Sequence, residues 1–572
     1  MILDSESRIR EFTQKGWWGT ENVIDIFKKN VCRRPQAEAL IDPPNRKALA
    51  GGTPKRLTYE QMDEAVDNFA LRLLELEVKK DDIIMVQLPN VAELAICYFA
   101  AARVGAIISP VPVQYRKHEL RYTMGHLEPK VFVTVRNFNN FDHLQQALEI
   151  KSEMTFLRHL IVLGEDLPDQ VISMEELLTE DTVSKYPAEY LDTHPYRQGA
   201  NEIWTICWTS GTEAEPKAVP RTYNQWLNIG LGLFSTPKLR YADAVLLPFP
   251  LINLAAISAD FIPWLLCNGK LCLHHPFDAE VFVRQLEDEQ INYTASAPAI
   301  LNMLLKREDL LPSANISKLR AIGCGSAPPS PWLINELKEK YGIELFNLWG
   351  ANEGTLLTNN ADDIPDITER ATLFLRWGDP RIRSSTWGAE RVKTKLQDPG
   401  TGKIIEEAGK VGELLYYGPN IFPGYFKQPE KTEKAFDSEG YYKTGDLFSI
   451  EGENRDHYKF HGRLKDLIMR GGQNISPEEI ENLVLGHPKI KEAAAIGVPD
   501  DRLGEKTCVY VVPKEGEGIT IEEIVDFLKT KDIAVYKFPE ILEIIDAIPR
   551  NPVGKILKDT LRKDYQQRHP TK

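Results

Sequence analysis

The chain contains the segment Trp208-Thr209-Ser210-Gly211-Thr212-Glu213-Ala214-Glu215-Pro216-Lys217, directly after the apolar run Ile203-Trp204-Thr205-Ile206-Cys207. A short apolar run that ends in small, hydroxyl-bearing residues predicts a buried strand leading into a loop. The loop offers three hydroxyl groups, one glycine and one lysine, which together with backbone N–H groups can surround phosphate oxygens. It lacks the spacing of a Walker loop. We expect an anion-binding loop, with an ordinary surface turn as the alternative.

Strand and helix patterns alternate on both sides of this loop. Before it, short apolar runs predict buried strands at residues 83–88, 106–111, 131–135 and 159–163. After it, similar runs occur at residues 244–249, 269–274, 293–297 and 319–324. Helical spacing follows Thr58, which can cap a helix, and an apolar helix is expected from Glu93 to Val104. This alternation predicts an α/β fold with parallel sheets covered by helices.

The C-terminal third has a different pattern. Residues 393–417 predict a hairpin with its turn at 398–402, and the last hundred residues form a compact α+β unit. The charged stretch 462–466 lies between these parts. We therefore expect a multi-subdomain N-terminal region, residues 1–464, and a small C-terminal domain, residues 465–572.

Composition excludes several classes of protein. The chain has 572 residues, and 69 Lys and Arg against 83 Asp and Glu give a formal charge of −14, which argues against nucleic acid as a partner. No apolar run is long enough to predict a transmembrane segment. Its seven cysteines are scattered and lack zinc spacing, so buried free thiols and a cytoplasmic location are expected.

Four further stretches carry groups that suit nucleotide chemistry. In residues 347–354, Glu353 stands beside two glycines and can hold a hard cation such as Mg²⁺. In residues 442–447, a loop aspartate, Asp446, can accept both hydroxyls of a ribose. The other two stretches are 462–477 and 549–555. Each has a plain alternative, since solvated loop carboxylates, a charged linker and a surface lysine are common.

In their order and spacing, the five motifs resemble those of the adenylate-forming superfamily. That superfamily includes acyl-CoA synthetases, aryl-acid and peptide-synthetase adenylation domains, and firefly luciferase. The resemblance extends from about Leu57 to the C-terminus. It implies that the C-terminal domain is mobile, that ATP and coenzyme A are co-substrates, and that Mg²⁺ is the cofactor.

The resemblance also implies roles for individual residues. ATP or AMP binding falls to Thr209, Ser210, Gly211, Thr212, Gly325, Ser326, Ala327, Pro328, Trp349, Gly350, Asp446 and Arg463. The implied catalytic residues are Lys217, Asn352, Glu353 and Lys555, and the implied metal residues are Glu353 and Thr212. Lys465 corresponds to the hinge, and Gly471 and Gly472 to the side on which coenzyme A enters.

This chain departs from the family pattern in two places. Glu213, Ala214 and Ala218 stand where the phosphate loop usually continues as Thr-Gly-x-Pro-Lys-Gly. Replacing glycine narrows the permitted backbone, and Glu213 adds a negative charge near the phosphates. Asn352 replaces a threonine that normally contacts the α-phosphate, and its amide can still donate there.

The chemistry implied is electrostatic. A carboxylate attacks the α-phosphorus of ATP and displaces pyrophosphate, so cationic groups must offset the repulsion between two anions. The resemblance gives this task to Mg²⁺ on Glu353, to Lys217 on the leaving phosphates, and to Lys555 on the carboxylate and α-phosphate. A thiol then attacks the acyl carbon and expels AMP, after the C-terminal domain has moved about its hinge.

Residues 248–256 resemble the acyl-pocket segment, and they contribute Phe249, Ile252, Asn253 and Ala256. Their apolar character favours an aliphatic, alicyclic or simple aromatic monocarboxylic acid over an amino acid, with core packing as the alternative. Coenzyme A is the expected acceptor. A carrier protein remains open, because several stretches look closest to free-standing dihydroxybenzoate-AMP ligases. A luciferase-like oxygenase or a non-catalytic adenylate binder remains open too, and both a monomer and a dimer fit the sequence.

Overall fold

The computed structural model describes residues 1–179, 182–187, 189–209, 216–325, 327–470, 473–500, 502–531, 533–550 and 555–569. Contacts divide the chain into two compact units. Unit 1 comprises Met1–Thr209, Pro216–Lys393 and Tyr417–Gly440, and unit 2 comprises Thr394–Tyr416 and the described part of Tyr441–Lys572. The predicted boundary between a large N-terminal region, residues 1–464, and a small C-terminal domain, residues 465–572, stays a prediction.

Unit 1 alternates strands and helices along the chain. Its strands are β1 (Glu38–Ile41), β2 (Arg56–Thr58), β3 (Ile83–Gln87), β4 (Ile107–Pro110), β5 (Val131–Val135), β6 (Asn137–Phe138), β7 (Phe141–Asp142), β8 (His159–Leu163), β9 (Ile172–Ser173), β10 (Ile203–Trp208), β11 (Ala218–Thr222), β12 (Ala244–Leu247), β13 (Lys270–Leu273), β14 (Tyr293–Ser296), β15 (Ala321–Cys324), β16 (Glu344–Gly350), β17 (Leu356–Thr358) and β18 (Leu373–Leu375).

Its helices are α1 (Glu6–Gln14), α2 (Val23–Arg33), α3 (Arg46–Ala50), α4 (Tyr59–Glu75), α5 (Ala92–Arg103), α6 (Lys117–Leu127), α7 (His143–Glu153), α8 (Met174–Thr179), α9 (Tyr190–Thr193), α10 (Tyr223–Ser235), α11 (Leu254–Ala256), α12 (Ile262–Cys267), α13 (Ala279–Asp288), α14 (Pro298–Lys306), α15 (Pro331–Tyr341), α16 (Ile367–Thr372) and α17 (Pro429–Ala435). A π-helical turn, Ile257–Phe261, joins α11 to α12.

Two large sheets organise unit 1. The first has eight strands in the order β17-β16-β15-β14-β12-β13-β1-β2, with parallel pairing from β16 to β1 and antiparallel pairing at both edges. The second has seven strands in the order β11-β10-β4-β3-β5-β8-β9 and is parallel except for the β10–β11 hairpin. Strands buried on both faces are near-continuous apolar runs, which is why the sequence identified them.

Each large sheet has an apolar core on the face that its helices cover. On the first sheet, Leu246, Ile322 and Leu345 pack in one cluster with Phe282 of α13 and Leu333 of α15. On the second sheet, Met85, Ile107 and Phe132 share a cluster with residues of α6 and α7. The carboxyl ends of the strands are thereby left to carry the loops in which the predicted motifs lie.

Unit 2 is richer in antiparallel pairing. Its strands and helices are β19 (Lys393–Gln397), β20 (Ile404–Ile405), β21 (Val411–Tyr417), β22 (Tyr442–Glu451), β23 (His457–Arg463), β24 (Ile468–Arg470), β25 (Gln473–Ile475), α18 (Pro477–Leu485), β26 (Ile490–Asp500), β27 (Gly504–Pro513), α19 (Ile521–Lys529), β28 (Ile541–Ile544) and α20 (Lys558–Arg568). One sheet runs β23-β22-β21-β19-β20, and another runs β25-β24-β27-β26 with β28 parallel to β27.

Most of the predicted elements are confirmed. The strands expected at residues 131–135 and 159–163 coincide with β5 and β8. The helix expected after Thr58 is α4, where Thr58 and Gln61 form a reciprocal capping box. The α/β fold class with parallel sheets is confirmed as well. Asp446 differs from expectation, because it lies within strand β22 rather than in a loop.

The cysteines and the helices also bear on the sequence predictions. All seven cysteines are free and six are buried, whereas Cys32 is exposed, so burial was wrongly predicted for that residue. None of the helices in the described ranges has both the length and the apolar character that crossing a bilayer requires.

A buried ion cluster fixes the start of α5 to the end of β1. Arg46 donates through two nitrogens to Glu93, at 2.8 Å each, and to Asp42 at 2.8 Å. Asp42 also accepts from the backbone N–H of Ala92 at 2.7 Å. These three charged side chains are almost fully buried. Removing one of them would leave an unpaired buried charge and destabilise the folded state.

Replacing Arg46 by methionine should destabilise unit 1 strongly, because two buried carboxylates would lose their main cationic partner. We expect Arg46→Met to lower the free energy of unfolding by about 3–5 kcal/mol, measured by urea denaturation. The matched control is Arg121→Met, which breaks a similar two-nitrogen contact to Glu153 on the surface. Equal losses in the two variants would contradict a special role for the buried cluster.

Candidate active site

The base of the phosphate loop is a closed hairpin. β10 and β11 pair antiparallel, with Trp208 opposite Ala218. Beyond this pair, the backbone N–H of Thr209 donates to the carbonyl of Lys217 at 3.0 Å, and the N–H of Lys217 donates to Oγ1 of Thr209 at 3.0 Å. The strands therefore hold both ends of the loop together. Ser210, Gly211 and Thr212, which were predicted to bind phosphate, lie outside the described residues.

The second predicted motif forms a tight turn between β16 and β17. Gly350 pairs with Leu356 across this hairpin, and the N–H of Gly354 donates to the carbonyl of Ala351 at 2.8 Å. Gly354 has a φ of +105°, and a Cβ at this position would lie 1.9 Å from the carbonyl oxygen of Asn420. Only glycine fits here, for both conformational and steric reasons.

Asn352 ties three segments of the site together. Its Nδ2 donates to the carbonyl of Trp208 at 2.9 Å, and its Oδ1 accepts from the N–H of Leu254 at 2.8 Å. Its backbone carbonyl accepts from Arg221 at 2.9 Å. The amide meets its two partners through separate nitrogen and oxygen atoms, whereas a threonine would have to use one oxygen on a shorter side chain for both. The departure from the family pattern at this position thus has a structural use, and the α-phosphate contact predicted for Asn352 stays a prediction.

Arg221 is a site residue that sequence reasoning did not single out. Its side chain is fully buried and donates to the carbonyls of Asn352 and Gln225 at 2.9 and 3.2 Å. It also lies 4.3 Å from the ring centroid of Trp226. Burial lowers the pKa of Arg221 to about 9, against the opposing effects of nearby anionic groups. An arginine inside an apolar strand run was the available signal.

A short chain of contacts connects the predicted phosphate lysine to the predicted metal carboxylate. Nζ of Lys217 lies 5.2 Å from the ring centroid of Tyr425, and the hydroxyl of Tyr425 donates to Oε1 of Glu353 at 2.8 Å. The backbone carbonyl of Glu353 accepts from Phe422 at 2.9 Å. Glu353 is largely buried, and the turn and Tyr425 together fix its position.

The chemistry of Glu353 suits a hard cation. Tyr425 occupies one carboxylate oxygen, so the second oxygen can bind Mg²⁺, which takes one or two carboxylates together with substrate phosphates. The described residues contain no cluster of three or more acidic, histidine or cysteine side chains that could hold a metal alone. This combination fits a metal that arrives with a nucleotide.

The residues predicted to flank adenine come from neighbouring strands. Gly325 follows β15, and Trp349 and Gly350 end the adjacent strand β16. Ala327 and Pro328 are exposed after β15, whereas Trp349 is largely buried. A Cβ on Gly350 would approach the carbonyl of Thr355 to 2.6 Å, so the turn requires glycine here too. Ser326 lies outside the described residues.

The predicted acyl-pocket residues surround the start of α11. Phe249 is half-buried, Ile252 and Ala256 are buried, and Asn253 caps α11 by accepting from the N–H of Ala255 at 3.1 Å. The next residue, Leu254, is the one whose N–H donates to Asn352. The structure therefore places this apolar segment directly beside the turn that carries Glu353.

Unit 2 holds a second group of the predicted residues. Asp446 of β22 and Arg463 of β23 are opposite each other in the ladder, and Nε of Arg463 lies 3.2 Å from Oδ1 of Asp446. Lys555 is within electrostatic range of both. Burial lowers the pKa of Lys555 to about 8, Arg463 and Lys465 act in the same direction, and Asp446 and Asp466 oppose them.

Two neighbours complete this group. Burial also raises the pKa of Glu478 to about 7, against the opposing charge of Lys558. The predicted hinge residue Lys465 is exposed in a 3-10 turn, and its neighbour Asp466 forms an ion pair with Arg562 of α20 at 3.1 Å. Gly471 and Gly472, predicted to face coenzyme A, lie outside the described residues.

Comparison with protein families shows to which family the chain belongs. The family model described as AMP-binding enzyme matches residues 27–426, and the model of the AMP-binding enzyme C-terminal domain matches residues 479–555. The chain is an AMP-binding enzyme. The adenylate-forming superfamily, suggested by the order of the motifs, is thereby confirmed.

Several known AMP-binding enzymes are similar along their whole length. The medium-chain fatty-acid–CoA ligase of Escherichia coli K12 is 28% identical over 99% of this chain and 94% of its own length. The 2,3-dihydroxybenzoate-AMP ligase of Bacillus subtilis 168 is 25% identical, with 97% and 96% covered. The ATP-bound structure of MatB from Rhodopseudomonas palustris is 23% identical and superposes with a TM-score of 0.79, covering 96% of this chain and 100% of that one. That last likeness supports the fold.

The bridging role of Asn352 can be tested through stability. Asn352→Asp keeps an acceptor for the N–H of Leu254 but places an oxygen against the carbonyl of Trp208. We expect a loss of about 1–3 kcal/mol in the free energy of unfolding, measured in urea. Asn253→Asp is the matched control, because an aspartate still caps α11, and it should change stability little. An Asn352→Asp variant as stable as the wild type would contradict the bridge.

Proposed function

We propose that this AMP-binding enzyme is an acid–thiol ligase that activates a carboxylic acid with ATP and then transfers the acyl group to coenzyme A. The observation that carries the proposal is the convergence of Lys217, Asn352 and Glu353 around one turn, beside an apolar segment that can hold an acyl chain. A cation and a carboxylate held near each other by the Asn352 bridge suit a polyphosphate and its metal better than they suit a packing role.

In the first step, a carboxylate oxygen of the acid bonds to the α-phosphorus of ATP, and the bond from that phosphorus to the β-phosphate bridging oxygen breaks. The products are an acyl adenylate and pyrophosphate. Lys217 is placed to offset the charge of the departing phosphates. Mg²⁺ held by Glu353 would neutralise further phosphate charge. Asn352 keeps the acyl segment and the end of β10 in register, so the two anions meet in a fixed orientation.

Lys555, Asp446 and Arg463 are proposed to serve the adenosine half of the same reaction. A carboxylate can accept both hydroxyls of a ribose, and Arg463 holds Asp446 in the ladder between β22 and β23. Lys555 supplies a positive charge to the reacting carboxylate and α-phosphate. Its lowered pKa reflects burial, and a bound anion would restore the protonated form.

In the second step, a thiol sulfur bonds to the acyl carbon and AMP leaves. The fatty-acid–CoA ligase among the relatives supports thioester formation, and the 2,3-dihydroxybenzoate-AMP ligase supports formation of an acyl adenylate. We favour coenzyme A as the thiol, with an aliphatic, alicyclic or simple aromatic acid as substrate. A carrier protein is the alternative acceptor, which fits the second kind of relative.

The test is to incubate the protein with ATP, Mg²⁺ and a panel of acids, and to measure pyrophosphate exchange, AMP and thioester. Parallel reactions contain coenzyme A, a pantetheinylated carrier protein, or no thiol. Acid-dependent exchange with thioester on coenzyme A is the expected result. If thioester formed only on the carrier protein, the acceptor would be the carrier protein and not coenzyme A. If no acid supported pyrophosphate exchange, the proposal would be overturned.

Removing the charge of Lys555 should separate the two steps. We expect Lys555→Ala to reduce acyl-adenylate formation by at least about a hundredfold, because this step brings two anions together. Thioester formation from preformed acyl-AMP should stay within a few fold of the wild type. Single-turnover assays of each half-reaction make the comparison. Equal loss in both would show that Lys555 has a general structural role.

The pH dependence of the first step should reflect Lys555. Because its pKa is about 8 in the free protein, the active ammonium form is lost as pH rises through that value. The kcat/KM for adenylation should therefore fall above pH ~8, measured by pyrophosphate exchange. Lys555→Arg should be slower but flat in this range, since arginine keeps its charge. Glu478→Gln is the control for the other group that titrates nearby, and it should retain the alkaline fall.

A further inference from the structure

A buried aspartate without a hydrogen-bond partner lies in the helix that follows the acyl segment. Asp260 is fully buried in the π-helical turn Ile257–Phe261, and neither carboxylate oxygen has a hydrogen bond of normal geometry to a described residue, although the backbone N–H of Ala295 lies nearby. Burial raises the pKa of Asp260 well above its usual range, with only the backbone N–H of Ala295 acting against it. π-helical turns often mark functional sites, and a buried polar group without a partner needs an explanation.

A second orphaned group belongs to the same place. The π-helical turn packs against β12 and β14, and Tyr293 of β14 is fully buried with no partner for its hydroxyl in the described part of the chain. Burial and the nearby Asp260 both raise the pKa of Tyr293. The hydroxyl lies over Gly323, where a Cβ would come within 2.9 Å of it. Glycine on β15 therefore accommodates the hydroxyl, which a side chain at this position would displace.

The position of Asp260 relates it to the acyl segment. Asp260 follows Ala256 by four residues, so the two lie on about the same side of the continuous helix. Leu254, whose N–H binds Asn352, is six residues before Asp260, which corresponds to about 9 Å along a helix. An acid with its carboxylate near the Asn352 turn would point its far end along this helix face, past Ala256.

We propose that Asp260 and Tyr293 form a polar end to the acyl pocket that recognises a hydroxyl group at the distal end of the acid substrate. This inference rests on the proposed function and narrows its substrate class. The apolar wall predicted from Phe249 and Ile252 holds the middle of the acid, and the two orphaned groups supply the hydrogen bonds at its end. Apart from the backbone N–H of Ala295, which lies near the Asp260 carboxyl group, the described residues supply no hydrogen-bond partner for either group.

A hydroxyl fits better than an ammonium group. Because burial raises the pKa of both Asp260 and Tyr293, charged forms of the two groups are disfavoured at the pocket end. A hydroxyl can donate to one and accept from the other. An ammonium would have to lose its hydration in an apolar surrounding with no formed counter-charge, which is costly.

The alternative is that a buried water links the two groups as part of the fold. The two explanations differ in what they predict for stability. If the groups await a ligand, removing the Tyr293 hydroxyl breaks no hydrogen bond of the free protein, so the melting temperature should stay the same or rise. If a water or the fold uses them, removal should lower the melting temperature.

The experiment compares paired acids by pyrophosphate exchange. The pairs are ω-hydroxyheptanoate with heptanoate, and para-hydroxybenzoate with benzoate, and ω-aminoheptanoate is added. For the wild type we expect kcat/KM to favour at least one hydroxylated acid over its parent by about tenfold or more, because unpaired site groups penalise the parent. Tyr293→Phe and Asp260→Asn should reduce this ratio toward one without lowering the melting temperature.

The matched control is Tyr223→Phe, which removes a buried hydroxyl that donates to Gln198 at 2.6 Å and should leave the ratio unchanged. A wild type that prefers both parent acids, or prefers the amine, would overturn the proposal. So would variants that lower the melting temperature and leave the ratio intact. Absence of exchange with every acid would instead overturn the proposed function, so the two failures are distinguishable.

Discussion

The hydrogen bonds of Asn352 hold together the segments that form the candidate site in unit 1. Its amide holds the end of β10, where the phosphate loop begins, to the start of α11, where the acyl segment begins. The buried guanidinium of Arg221 also holds this turn, because it donates to the backbone carbonyl of Asn352. Because one amide supplies both a donor and an acceptor, a single residue sets the spacing between the nucleotide-facing and acyl-facing parts of the site.

This construction explains why a replacement in the family pattern is compatible with the proposed chemistry. The position usually has a threonine, whose hydroxyl the resemblance assigns to phosphate contact. Here an amide adds a link between segments that are far apart in the chain, and Glu353 beside it keeps its own support from Tyr425. In the proposed reaction, the charges that act on phosphate would belong to Lys217 and the metal held by Glu353, while Asn352 contributes rigidity.

The charged groups in and around the proposed site differ in how strongly their charge depends on pH. Arg221 remains buried and structural, whereas Lys555 lies where burial brings its pKa close to the working range. A lysine that is held partly desolvated gains more from an arriving anion than a solvated one does, because the anion restores its preferred charge state. Asp260 and Tyr293 are also incompletely paired within the fold. In our proposal, the distal hydroxyl of the acid substrate supplies the missing hydrogen bonds.

The amino-acid sequence by itself determined the strands, the capped helices and the order of the motifs. These features are encoded locally, as in the near-continuous apolar run of β5 or the capping box at Thr58. It also singled out Glu353, Asp446 and Lys555 as candidate site residues through the resemblance of their motifs to a known family, and their roles stay predictions. The loop expected around Asp446 was wrong, because pairing with β23 draws that segment into a ladder. Only the tertiary structure decided that Arg221 supports Asn352, that Tyr425 holds Glu353, and that Tyr293 comes within electrostatic range of Asp260. Those partners come from distant parts of the chain, and local periodicity records which face of an element is buried but not which side chain will meet it there.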